Sequence, residues 1–149
     1  MTTVATIGYE GTTIPAFLAE LRDARVKLLV DVRAVASSRR PGFSKTRLAA
    51  HLEEAGIDYV HLRALGTPAD GRAAARAGRH AEMRRIYRAH LATPAARSEM
   101  DTLADLARGD RRLCLLCFEA DPAHCHRTLV AEALGKLVDV DVQHLLAKQ

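Results

Sequence analysis

Leu113-Cys-Leu-Leu-Cys-Phe118 is the most apolar run in the chain. A strand built from it has no polar face, so it belongs inside a parallel sheet that helices cover on both sides. Val26-Lys-Leu-Leu-Val-Asp-Val32 and Val4-Ala-Thr-Ile7 read the same way, and Gly8 stops the second of these. Ile57-Asp-Tyr-Val-His-Leu62 supplies a further strand, and residues 138–146 a last one. Helix signals fall between them. Thr13 and Pro15 open a helix whose buried side is Phe17, Leu18 and Leu21. Ser44 caps another, with Leu48 and Leu52 inward and Gly56 at its end. Two more are expected over residues 80–92 and 94–108, and one from Cys125 to Leu137. Strands alternating with helices imply right-handed crossovers. The expected fold is therefore α/β: a three-layer, Rossmann-like single domain over residues 1–149. Its sheet is mostly parallel, of about five strands, with the segments near residues 4, 27 and 113 at its centre.

The composition agrees. With 149 residues, 48% apolar and 27% charged, the chain excludes wholesale disorder and can bury roughly two-thirds of its unfolded surface. No run approaches the about 20 apolar residues that span a bilayer, and residues 1–8 lack the basic start of a secretory signal. A cytoplasmic location without membrane attachment is expected. Three cysteines cannot all pair internally, and in a reducing compartment none is expected in a structural disulfide. The net charge of +4 is unevenly placed: residues 63–97 hold eight arginines against Asp70 and Glu82. Residues 63–80, polar and rich in glycine and arginine, read as the least ordered connection and as a lid over the site.

Ligands of open parallel sheets bind beyond the carboxyl ends of the strands. Four segments distant in sequence would meet there: Gly8 to Gly11, Asp31-Val-Arg33, His61, and Cys117 to Arg127. In the last segment Cys125 falls at a helix start, where free amides, the helix dipole and the neighbours His124, His126 and Arg127 favour a thiolate. Cys114 and Cys117 read as small core residues of a buried strand. Arg33, Arg39 and Arg127, with Ser38, suggest a guanidinium cradle for a phosphate, sulfate or carboxylate. His126 or His61 would serve as general acid or base. Tyr9, Glu10, Asp31 and Glu119 are expected as structural or rim residues, Asp31 by holding an arginine in place.

Two rival readings arise from the same residues. The stretch from Arg72 to Arg88 could grip a nucleic-acid backbone, although a chain with no Trp, three Tyr and three Phe offers few stacking platforms. Cys117, Cys125, His124 and His126 could clamp a metal if their loop folds back, but the spacing matches no standard zinc knuckle. The preferred reading assigns no metal and no cofactor.

Several motifs taken together resemble the domain-of-unknown-function family numbered 488. They are Thr6-Ile-Gly-Tyr-Glu-Gly11, Asp31-Val-Arg33 with Ser38-Arg39 and Gly42-Phe-Ser44, Leu65-Gly66 with Pro68, and Cys117-Phe-Glu119 leading to Cys125-His-Arg127. The resemblance implies a compact α/β prokaryotic domain with the Cys-His-Arg motif at its site, and it brings no particular reaction with it. The functional expectation is an enzyme acting on a small anionic substrate, one containing phosphate or a nucleotide, with Cys125 as nucleophile or redox thiol. The alternatives are a non-catalytic nucleotide- or nucleic-acid-binding module and a metal-binding protein.

Overall fold

A computed structural model describes residues 2–147. The elements in chain order are β1 (Thr2–Gly8), α1 (Ile14–Asp23), β2 (Leu28–Asp31), α2 (Lys45–Glu54), β3 (Asp58–His61), α3 (Ala69–Arg76), α4 (His80–Leu91), α5 (Pro94–Ala107), β4 (Leu113–Cys117), α6 (His126–Leu134) and β5 (Val140–His144). The strands form one sheet in the order β3-β2-β4-β1-β5, and every neighbouring pair is parallel. The three apolar strands are the central ones, as expected.

Alternation along the strands builds the two outer layers. Val4, Val30, Leu113 and Leu115 face the side packed by Met83, Tyr87, Leu103 and Leu129 from α4, α5 and α6. Ala5, Ile7, Leu29 and Leu116 face the opposite side, packed by Phe17 and Leu21 of α1 and Leu48 and Leu52 of α2. Cys114 and Cys117 fall on opposite faces for the same reason. The helix starts follow local chemistry. Thr13 Oγ1 accepts the Ala16 N–H at 3.3 Å, and Thr93 Oγ1 accepts that of Ala96 at 3.4 Å. Ser44 stands at the N-cap of α2 but makes no capping bond. Its hydroxyl instead accepts the Ser38 N–H at 2.9 Å and donates to the Ser38 carbonyl, so it shapes the loop after β2.

Residues 63–80 depart from the expectation of a loose connection. They contain a short 3₁₀ turn, Arg63–Leu65, and the helix α3. Leu65, Thr67 and Ala74 are buried. Groups far ahead in the chain tie the segment down: Tyr87 Oη donates to the Leu65 carbonyl, His90 Nε2 to the Ala64 carbonyl, and the Ala64 N–H bonds Glu99. Those partners lie 22 to 35 residues away, beyond the reach of a local reading.

Topology then fixes where a site can lie. The connections leaving β1 and β2 run along the α1/α2 face toward the β3 edge, whereas the connection leaving β4 runs along the α6 face toward β5. Crevices therefore open on both sides of the carboxyl end of β4.

Candidate functional site

A cavity of about 280 Å³ occupies that position. The loop after β2 contributes Arg33 and Val35, the β4–α6 connection contributes Cys117, Glu119 and Cys125, and α3 contributes Arg72 and Arg76. Tyr9 and His126 complete it. The strand ends are drawn together by the backbone itself. Tyr9 and Glu10 donate their N–H groups to the carbonyls of Cys117 and Phe118, extending the β1–β4 ladder past Gly8. A side chain at Gly8 would collide with the Glu119 backbone, because a Cβ there would lie 1.7 Å from its carbonyl oxygen. Glycine is required by that close approach. Gly66 plays the same part against Ala34.

Asp31 and Arg33 form a closed unit. Arg33 Nε and Nη2 donate to the two oxygens of Asp31 at 2.8 and 2.7 Å, and Nη1 donates to the Phe43 carbonyl. Tyr59 Oη adds a 2.6 Å hydrogen bond to Asp31. Burial opposes the charge on Arg33, yet the bonds and charge of Asp31 outweigh it and raise its pKa. The Tyr9 ring lies 5.3 Å beneath the guanidinium and stacks on Phe43. Asp31 holds the Arg33 side chain in place. Arg33 borders the cavity with its charge already matched.

Arg127, on the first turn of α6, is fully buried. Its Nε donates to Thr6 Oγ1 at 3.1 Å, Nη1 to Glu119 O at 2.5 Å and Cys117 Sγ at 3.4 Å, and Nη2 to Ala120 O at 3.1 Å. No carboxylate among the described residues lies within ion-pair distance of it. Burial lowers its pKa to about 10, against the pull of more distant groups that include Glu119. Arg127 therefore clamps the β4–α6 connection from beneath and does not line the cavity. Ser38 and Arg39 border a separate open hollow with Arg40 and Arg47. The structure does not bring Arg33, Arg39 and Arg127 together as one cradle. The guanidiniums that join Arg33 at the cavity are Arg72 and Arg76.

Cys125 is the N-cap of α6, and its side chain makes no capping bond. His126 Nε2 lies 2.6 Å from the Val32 carbonyl, which can only accept, so Nε2 carries the proton. Its Nδ1 lone pair is left facing Cys125 Sγ at 3.8 Å. Burial holds the His126 pKa down to about 4, so the ring is neutral at physiological pH. His61 instead donates Nε2–H to the Arg33 carbonyl at 2.7 Å and is not among the residues lining the cavity. Glu10 accepts the Ala120 N–H and so ties the β1 end to the β4–α6 connection. Burial and the nearby Glu10 raise the pKa of the Glu119 carboxyl, which belongs to the cavity wall.

The sulfurs depart from the sequence reading. Cys117 and Cys125, eight residues apart, are joined as a disulfide, although no such bond was expected and Cys117 read as a core residue. The strand places Cys117 at its very end, where the next turn folds back over it. The Sγ atoms of the pair and a ring nitrogen of His126 all lie within 4.8 Å of one another, a cluster of the kind that could hold a metal ion. His124 is not part of it: its Nδ1 lies 3.6 Å from Asp121 and its ring stacks on His80. Sequence reasoning named Cys117 only within the strand-end segment and the rival metal cluster, and assigned Arg72 and Arg76 to a lid and to nucleic-acid binding instead of to an anion cradle. The four-residue spacing of Arg72 and Arg76, which sets both on one helix face, was the available signal for the latter.

No helix among the described residues is long and apolar enough to cross a membrane. Neither the curated proteins nor the solved structures yield a match to this chain. A family model described as a domain of unknown function, DUF488, matches residues 13–134, most of the chain, and the protein belongs to that family.

Proposed function

We propose that the protein is an enzyme acting on a small anionic substrate, with Cys125 as the attacking thiol in its reduced form. The observation that carries this reading is the convergence on one cavity of Cys125, the Nδ1 lone pair of His126 and the guanidiniums of Arg72 and Arg76. A helix N-terminus stabilises negative charge on sulfur, and the Nδ1 lone pair of the neutral imidazole faces the thiol as a hydrogen-bond acceptor that orients it. Arg72 spends one N–H on the Thr67 carbonyl, and Arg76 is exposed at the cavity edge, so both retain donors for an anion. Nucleic-acid binding through residues 72–88 is the weaker reading. Glu82 pairs with Arg79 and Arg85, and Tyr87 is buried and unable to stack on a base.

Competing alkylation of the reduced protein tests the proposal. Cys125 should react with iodoacetate at least as fast as with neutral iodoacetamide, because the cavity attracts the anion. Replacing Arg72 and Arg76 together by Ala should slow only iodoacetate, by about tenfold. Charge reversal at Arg84 and Arg85 should leave both rates unchanged. A Cys125 that alkylates no faster than an ordinary thiol removes the nucleophile, and an unchanged iodoacetate rate in the Arg72/Arg76 variant removes the anion.

A further inference from the structure

We infer that Cys117 is the resolving partner of Cys125, so that the site cycles between a dithiol and the Cys117–Cys125 disulfide while reducing a small anionic disulfide. The inference rests on the reading of Cys125 as the attacking thiol, and it adds the class of reaction. Three observations carry it. The two sulfurs are bonded to each other in the wall of the cavity proposed to receive the substrate. Arg127, buried with no carboxylate within ion-pair distance among the described residues, donates to Cys117 Sγ, while its other acceptors are uncharged oxygens. A disulfide sulfur gives that cation nothing but a weak acceptor; a Cys117 thiolate gives it a counter-charge. Reduction therefore produces the thiolate on the residue that must attack second. Cys114 provides the internal contrast: on the same strand but the opposite face, it is fully buried and receives no hydrogen bond from Arg127, and burial pushes its thiol pKa up against the weaker pull of the Arg127 charge.

The steps balance. The Cys125 thiolate attacks one sulfur of the substrate disulfide, that bond breaks, and the first substrate thiolate leaves. The other half remains on Cys125 as a mixed disulfide. The Cys117 thiolate then attacks Cys125 Sγ, forming the internal bond and expelling the second substrate thiolate. The substrate gains two electrons and the protein loses two; the departing thiolates take up protons from solvent. An external dithiol restores the reduced pair. Cys125 attacks first because it stands at the N-cap of α6, where the free amides of the helix start favour its thiolate.

The dianionic aromatic disulfide dithiobis-nitrobenzoate serves as the probe. Reduced wild-type protein should release two equivalents of nitrothiolate and finish with no adduct by intact mass, two hydrogens lighter. Cys117→Ser should release one equivalent and keep a stable adduct on Cys125. In Cys125→Ser the thiolate absorbance of Cys117 should titrate at least about one pH unit below an ordinary cysteine. An adduct persisting on Cys125 of the wild type overturns the resolving role while leaving Cys125 as nucleophile. Absence of any Cys125 adduct in Cys117→Ser overturns the nucleophile itself. Stoichiometric zinc that protects both thiols from the probe overturns the cycle in favour of a metal site.

Discussion

Two buried arginines stand on either side of β4, and their surroundings differ in one respect. Arg33 faces Asp31 through two short hydrogen bonds, and Arg127 faces carbonyls, a hydroxyl and a sulfur. The same side chain consequently carries a raised pKa in one place and a lowered one in the other. A guanidinium matched by a carboxylate is a brace for the loop after β2. One held only by neutral acceptors keeps a positive potential directed at whatever lies beside it, here Cys117. Burial alone thus does not tell a structural arginine from one that tunes chemistry; the identity of its acceptors does.

The comparison can be broken at Asp31 with the largest effect. Asp31→Ala leaves Arg33 buried without its counter-charge and frees the Tyr59 hydroxyl, and should cost about 3–5 kcal/mol in denaturant unfolding. Adding Arg33→Met to that variant should recover part of the loss, since the uncompensated charge is then gone. A double variant as unstable as the sum of both single changes would show that the pair does not act as a unit.

Histidine titration gives the next effect. The folded pKa of His126, about 4, lies below its ordinary value of 6.5, so the unfolded chain takes up the proton first on acidification. Stability is full above about pH 6.5 and is lost as the pH falls toward 4, by about 3 kcal/mol at most. His126→Gln, whose amide can still donate to the Val32 carbonyl, should flatten this part of the profile. An unchanged slope in that variant would place the titration elsewhere.

Arg127→Met should have the smallest effect of the three on stability, about 2 kcal/mol. It strands the Thr6, Glu119 and Ala120 oxygens but also removes a buried cation that had no close counter-ion. A loss larger than that of Asp31→Ala would reverse the ranking of the two arginines.

How much of this was legible varies with the reach of the signal. The three central strands were visible because each is apolar on both faces, a property of four to seven consecutive residues. The start of α1 was equally local, written in Thr-Ile-Pro. For Ser44 the same local rule failed, since its hydroxyl found Ser38 instead of the helix. The neighbourhood of Cys125 was identified from its place at a helix start beside His126 and Arg127. The lining of the cavity was not, because Arg39 and Arg127 stood near the motif in sequence and turned elsewhere in space.

The chain by itself determined a parallel α/β sheet and the end of it at which chemistry could gather, because burial patterning and strand–helix alternation repeat over a few residues. Only the tertiary structure decided which charged and sulfur-bearing groups remain available there. Arg127 meets Thr6 across 121 positions and His126 meets Val32 across 94, while α3 is fastened by Tyr87, His90 and Glu99 from later helices. A polar side chain takes its function from the partner it reaches, and these partners become neighbours only after the sheet has formed.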